Sequence, residues 1–164
     1  MTSSSKQNAT PSNSHSENLV DKTKLFSSSG KGLKKFGLSK KEKIKSKKEF
    51  DLIYSAGEQL ISPSQKLKAL YIIDRNSGTP GVKTAYAVSR KAGNAVWRNR
   101  VKRLLRDSFR LNKEQIVDEC SKKSIKLFIV FSPFTINKRN YGMIFLKDVQ
   151  EDVVGLMNKI RTKL

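Results

Sequence analysis

The chain is poor in the residues that most protein active sites require. Its 164 residues include one histidine, one cysteine and 14 acidic residues, against 34 lysines and arginines. His15 lies in a serine-rich stretch, so a histidine acid–base pair and a histidine-rich metal site are both excluded. Six of the 14 acids fall at 114–119 and 148–152 and the other eight are scattered, which disfavours a two-metal phosphodiesterase centre. We therefore expect the protein itself to contain no catalytic residues and no metal site.

Two further absences bear on where the protein works. Cys120 has no second cysteine with which to form an internal disulfide, and we interpret it as a structural thiol. No run approaches the roughly 18 apolar residues that a transmembrane helix needs, and the N-terminus lacks the pattern of a secretory signal. These features predict a cytoplasmic protein without membrane contact.

Positive charge is what the chain has in excess, with a formal net charge of +20. Residues 1–32 hold nine serines and only four lysines, so we predict a disordered Ser-rich tail there. A transit peptide is the alternative for this tail, although it contains no arginine. Residues 33–164, predicted to form a single RNA-binding domain, carry 30 bases and 12 acids. So large an imbalance in the folded part indicates a polyanionic partner.

Hydrophobic spacing predicts a small α+β domain with the element order αβββαβα. Ser46 to Glu49 matches a capping box, so a helix is expected over 47–56, ended by Gly57 in the left-handed conformation. The spacing of apolar residues then predicts strands near 60–61 and over 67–73, 84–89 and 125–131, and helices over 94–110 and from about 141 or 145 onward.

The densest basic segment, residues 90–106, contains seven bases and no acid. Trp97, Leu104 and Leu105 lie on one side of the helix predicted here, and we assign them to the core. The bases occupy the other side, where arginine can hold phosphate oxygens in pairs. A solvated surface helix is the alternative, but the absence of balancing acids favours contact with RNA or DNA.

The same segment resembles the RNR signature of the bacterial ribonuclease P protein subunit. The resemblance is carried by Val88-Ser89-Arg90-Lys91, by Gly93-Asn94-Ala95-Val96, and by Arg98-Asn99-Arg100-Val101-Lys102-Arg103 with Arg106. It extends from about residue 38 to the C-terminus and includes the lysine-rich entry and Glu49-Phe50 with Tyr54 and Gly57. The C-terminal third agrees only in element type and spacing.

The resemblance implies a fold and an activity. The fold is a small α-β sandwich with a four-stranded sheet, of the ribosomal protein S5 domain 2-like kind, with a left-handed βαβ crossover. The activity is that of a ribonucleoprotein that removes the 5′ leader of precursor tRNA by metal-assisted hydrolysis. The RNA subunit would carry the chemistry, with Mg²⁺ held mainly by that RNA and the substrate. The implied partners are ribonuclease P RNA and precursor tRNA, with no obligate protein partner.

The resemblance also implies two binding surfaces. The helix over 94–110 would face the RNA subunit through Lys91, Arg98, Asn99, Arg100, Lys102, Arg103 and Arg106. A cleft between the first helix and the sheet would hold the single-stranded leader through Phe50, Tyr54, Tyr71 and Ala87. Spacing alone leaves Phe50 and Tyr54 open to a second interpretation as a buried helix face. Arg100 lies near the border of the basic arc, so a packing or capping role is also open.

Three other classes of function compete with this one. A ribosomal or other structural RNA-binding protein would explain the charge and the small α+β fold, but not the whole RNR block. A nucleoid-type DNA binder would be expected to show dimerisation heptads or a pair of recognition helices, and neither is present in the sequence. A protein-only nuclease is disfavoured by the scarcity of acids and histidine.

Overall fold

The computed structural model describes residues 37–164, so the predicted tail over 1–32 lies outside the described residues. Four helices and four strands follow in the order αβββααβα. The helices are α1 (Lys47–Ala56), α2 (Ala95–Asn112), α3 (Glu114–Lys122) and α4 (Lys147–Arg161). The strands are β1 (Glu58–Ile61), β2 (Leu67–Asp74), β3 (Gly81–Tyr86) and β4 (Lys126–Pro133). No helix in this part of the chain is long and apolar enough to cross a membrane.

The four strands form one mixed sheet in the order β1-β2-β4-β3. β2 pairs antiparallel with both β1 and β4, whereas β3 pairs parallel with β4. In this register, Val130 of β4 lies opposite Leu70 of β2 on one side and Ala85 of β3 on the other. The α+β class and the four-stranded sheet predicted from the sequence are confirmed. The left-handed sense of the connection from β3 through α2 and α3 to β4 stays a prediction.

The two faces of the sheet bury cores of different size. Alternate residues of a strand point to opposite faces, so neighbours in sequence enter different cores. The larger core lies between the sheet and α2, α3 and α4, and includes Tyr71, Ile129 and Phe131. The smaller one lies under α1 and consists of Ile44, Ile53, Ala85, Phe128 and Val130. The α1 side of the sheet is therefore the thinner layer of the sandwich.

The element order predicted from the sequence omitted α3 and is wrong at that point. The packing shows why α3 forms, because Ile116 and Cys120, four residues apart, are both buried against the larger core. A single helical turn of apolar side chains amid charged residues gives a weak periodic signal. The connection from β3 to β4 therefore contains two helices rather than one.

The first helix has the predicted bounds, but its ends are built differently. The side chain of Ser46 makes no capping hydrogen bond. Gly57 is extended, with φ of −76°, so the left-handed cap is also wrong. A Cβ atom at position 57 would lie 2.3 Å from the carbonyl oxygen of Ile53, and this close approach requires glycine.

Candidate nucleic-acid interface

Helix α2 is held with one face in the core and the other turned outward. The side chain of Asn94 caps its start by accepting a hydrogen bond from the backbone N–H of Trp97, at 3.0 Å. Trp97, Val101, Leu105 and Phe109 are buried along one side. This stripe confirms Trp97 and Leu105 as core residues, whereas Leu104 is half buried against the same core. The stripe directs the intervening basic residues away from the core.

The outward side of α2 carries five cations that form no ion pair with another described residue. Arg98 and Lys102 are half buried, whereas Asn99, Arg103 and Arg106 are exposed. Within residues 37–164, the ion pairs formed by basic residues include none from Arg98, Arg100, Lys102, Arg103 or Arg106. An anion that approaches this side therefore meets cations that no carboxylate within residues 37–164 holds in an ion pair.

Arg100 and Arg106 differ from Arg103 because each has an internal contact. The Nε atom of Arg100 donates to the carbonyl oxygen of Ile144 at 2.7 Å, and its guanidinium lies 5.6 Å from the centre of the Phe145 ring. The guanidinium of Arg106 lies 5.7 Å from the centre of the Tyr86 ring. These contacts give Arg100 the packing role that its place on the helix left open, whereas Arg103 is simply exposed.

Lys91 lies just before α2, in a 3-10 turn formed by Arg90–Ala92. The hydroxyl of Ser89 accepts a hydrogen bond from the backbone N–H of Lys91 at 3.2 Å and so fixes the start of this turn. The Lys91 side chain is exposed. The structure thus places every basic residue of the RNR block on α2 or at its entry.

The α1 surface, on the other face of the sheet, brings aromatic side chains to the exterior. Ile53 is the one buried residue of the helix and anchors it to the sheet. Phe50 is half buried against the smaller core, while Tyr54 is 56% exposed. Their rings stack with 6.5 Å between centroids and an angle of 18° between planes. Tyr54 is therefore not a core residue, and its ring face is available to a planar ligand.

Tyr71 does not join the other three predicted leader-binding positions. Phe50 and Ala87 pack against the smaller core, whereas Tyr71 is 2% exposed and belongs to the larger core behind the sheet. Its hydroxyl donates to Glu58. Burial, and to a smaller extent this hydrogen bond, raises the pKa of Tyr71. The neighbouring Leu70 lies on the α1 side instead. Leu70 and Tyr71 are adjacent in β2, so their side chains point to opposite faces of the sheet. The sequence would therefore have excluded Tyr71 from the α1 side if the face of Ala87 had been known.

A second basic surface lies beside α1, between the lysine-rich entry and the starts of β3 and β4. A groove of about 810 Å³ there is lined by six lysines: Lys40, Lys41, Lys43, Lys45, Lys83 and Lys126. Its two acids are already paired, Glu49 with Lys83 at 2.5 Å and Glu42 with Lys113. Burial alone would raise the pKa of Glu42, but hydrogen bonds from Lys113 and Ser39 outweigh it and lower the pKa.

Metal-binding and nucleophilic groups are not gathered at either surface. Among residues 37–164, no three histidine, cysteine, aspartate or glutamate side chains converge as a metal site requires. Cys120 is buried, and burial raises the pKa of its thiol to about 11. A thiol with such a pKa is not a nucleophile at neutral pH, which agrees with a structural role.

Comparison with known proteins gives a consistent result. A family model described as Ribonuclease P matches residues 38–160. The ribonuclease P protein component of Clostridium botulinum (strain Langeland) is 37% identical over 122 residues, covering 73% of this chain and 95% of that protein. That of Maridesulfovibrio salexigens is 45% identical over 75 residues, covering 46% of this chain and 58% of that protein.

Two solved structures share the fold. The RNase P protein from Thermotoga maritima has a TM-score of 0.58 and 24% identity, covering 72% of this chain and 96% of that one. The RNase P protein of Staphylococcus aureus has a TM-score of 0.55 and 21% identity, covering 73% of this chain and 94% of that one. Because both identities are below 25%, these two matches bear on the fold alone.

Proposed function

The chain belongs to the bacterial ribonuclease P protein family, and from that premise we propose how its surfaces serve the ribonucleoprotein. Membership of this family favours a tRNA-processing subunit over a ribosomal or other structural RNA-binding protein. In this proposal α2 binds the catalytic RNA, the α1 surface binds the single-stranded 5′ leader of precursor tRNA, and the complex cuts the leader from the tRNA.

The observation that carries the proposal is the row of cations on the outward side of α2. These side chains have no carboxylate partners among the described residues, and the opposite side of the helix is buried. Folded RNA presents phosphates on a surface that such a helix can follow, and arginine can hold two phosphate oxygens at once. The proposed contacts are those of the RNR block: Lys91, Arg98, Asn99, Arg100, Lys102, Arg103 and Arg106.

The chemistry is assigned to the RNA subunit. The described residues offer neither a cluster of metal-binding side chains nor a histidine, so no step of hydrolysis is given to the protein. We place the Mg²⁺ ions mainly on the RNA subunit and the substrate. The protein's part is to neutralise phosphate charge and to position the substrate.

The leader-binding surface is proposed to consist of Phe50, Tyr54 and Ala87, with Leu70 in place of Tyr71. The exposed Tyr54 ring, stacked on Phe50, offers an aromatic face to an unpaired base. Stacking of this kind is worth about 1–3 kcal/mol per base and depends little on base identity. Lysines of the neighbouring groove would follow the leader phosphates.

Salt dependence tests the first surface. If about six phosphates are neutralised, affinity for ribonuclease P RNA falls by about three orders of magnitude between about 50 and 200 mM salt. Substitution of Arg103 and Arg106 by alanine should weaken binding and flatten this dependence. An affinity that hardly changes with salt would contradict the proposal.

Discrimination between two substrates tests the second surface. In the reconstituted complex, Phe50→Ala and Tyr54→Ala should weaken binding of precursor tRNA while leaving that of mature tRNA nearly unchanged. Tyr71→Phe serves as the control, because its ring lies on the other face of the sheet and the substitution keeps it. Equal losses for both tRNAs would refute the leader assignment.

A further inference from the structure

We infer that the segment between β4 and α4, residues 134–146, forms a second RNA-contact surface that holds a phosphodiester backbone of the RNA subunit against the entry to α2. We call this segment the β4–α4 arm. The inference rests on the proposed function, because it extends the surface by which α2 binds the RNA subunit. It concerns residues outside the RNR block, chiefly Lys138 and Arg139.

The arm is fixed to α2 and to the 3-10 turn before it by three hydrogen bonds to backbone carbonyl oxygens. The N–H of Lys138 donates to Ala92 at 2.7 Å. The indole N–H of Trp97 donates to Tyr141 at 2.7 Å, and Nε of Arg100 donates to Ile144, also at 2.7 Å. None of these bonds uses the side chain of Lys138 or Arg139. The arm is therefore a positioned surface rather than a loose connection.

Buried side chains at both ends of the arm add to this fixation. Ile136 is 2% exposed and Ile144 is fully buried, and both pack into the larger core. At its centre, the arm lies so close to the residues just before α2 that position 93 must be glycine. A Cβ atom on Gly93 would lie 2.8 Å from Cβ of Lys138 and 3.1 Å from the Trp97 ring. This close contact sets Lys138 directly beside the entry to α2.

The contact creates a basic depression at the entry to α2. It measures about 560 Å³ and is lined by Lys91, Ala92, Gly93, Asn137, Lys138 and Arg139. Three of these six residues are cationic and none is acidic. In the described part of the chain, none of the three cations forms an ion pair. Three uncompensated cations around one concave surface match the charge of a nucleic-acid backbone.

Two exposed apolar residues lie close in sequence to the residues of this depression, one on α2 and one on the arm. Val96, on the first turn of α2, is 78% exposed, and Met143, between the two arm carbonyls that α2 binds, is 72% exposed. Single exposed apolar side chains are common on protein surfaces, so the cations, and not these two residues, carry the inference. The RNA subunit is the occupant that fits, since the depression continues the basic side of α2, whereas the proposed leader surface lies across the sheet.

The test is a double substitution in the arm with a matched control. K138A/R139A removes two cations but keeps every backbone contact that fixes the arm. K122A/K123A removes two exposed cations at the end of α3, away from the arm. Affinity for ribonuclease P RNA is measured for the full chain at several salt concentrations. Each lost phosphate contact lowers the slope of log affinity against log salt by about 0.9, so K138A/R139A should lower it by about 2.

The expected result is an affinity about tenfold or more below wild type at about 0.1 M salt, with an unchanged thermal midpoint. The control should keep the wild-type slope. If wild-type protein fails to bind the RNA, the proposed function itself is wrong. If wild type binds but K138A/R139A has the control's slope, the arm is not a contact surface. Loss of precursor tRNA binding alone, at constant RNA-subunit affinity, would also overturn the inference.

Discussion

Arg100 and Arg103 lie one helical turn apart in the RNR block, and the structure predicts that alanine affects them differently. Arg100 donates to the Ile144 carbonyl at 2.7 Å and lies over the Phe145 ring. Arg103 is exposed and forms no ion pair with any described residue. Arg100→Ala should therefore lower the stability of the free protein, whereas Arg103→Ala should weaken RNA binding without that cost.

The expected size of each effect follows from these contacts. A hydrogen bond from a charged donor contributes about 1.5–3 kcal/mol when shielded, and the exposure of Arg100 reduces this to about 1 kcal/mol. The ring contact adds about 0.5 kcal/mol at such a site. Loss of both lowers the thermal midpoint by roughly 4–8 °C in a domain of this size. For Arg103→Ala the change in stability should stay within about 0.5 kcal/mol.

Thermal unfolding of the free protein and salt titration of RNA binding measure the two effects separately. Arg103→Ala should lower the salt slope by about 1. Arg100→Lys keeps the charge but lacks the Nε donor, so it should not restore the midpoint lost in Arg100→Ala. Equal midpoints for Arg100→Ala and Arg103→Ala would show that the arm contacts do not stabilise the fold, and would refute this reasoning.

Two further predictions concern the fold that supports the α1 surface. Gly57→Ala would place a Cβ atom 2.3 Å from the Ile53 carbonyl oxygen, so it should destabilise the protein by roughly 1–3 kcal/mol in denaturant unfolding. The lowered pKa of Glu42, paired with Lys113, contributes stability that is complete above its ordinary value of 4.5 and is lost as pH falls through the lowered value. The thermal midpoint should therefore drop with acid, and less steeply in Glu42→Gln.

Each of these two predictions has its own contradicting outcome. Gly78 has open space around it, so Gly78→Ala is the control for Gly57→Ala, and equal unfolding curves would mean that the close approach at Gly57 is absent. For Glu42, the midpoint is followed from neutral pH to about pH 3. Identical acid profiles for wild type and Glu42→Gln would show that the pair with Lys113 contributes nothing to stability.

Local signals predicted the helices that carry function better than they predicted the faces of the sheet. The bounds of α1 and the buried stripe of α2 follow from residues three and four apart, which interact within one element. The placement of Tyr71 required knowledge of which face α1 covers. That depends on β2 and β3 both pairing with β4, a long-range register that spacing within one strand does not contain.

The β4–α4 arm shows a different limit of sequence reasoning. Its attachment to α2 and to the turn before it depends on the carbonyl oxygens of Ala92, Tyr141 and Ile144, which every residue type possesses. Backbone acceptors leave no compositional signal, so Lys138 and Arg139 could not be assigned to the RNA surface beforehand. Gly93 was the one available clue, since a glycine beside a helix start can mark a close approach of two chain segments.

The most direct test of the central claim is reconstitution with a bacterial ribonuclease P RNA at low magnesium, scored by release of the 5′ leader from precursor tRNA. The account predicts that the protein strongly stimulates cleavage by the RNA under these conditions and that the protein alone releases no leader. Cleavage no faster than that of the RNA alone would contradict the assigned function. Leader release by the protein without RNA would contradict the claim that the chemistry belongs to the RNA.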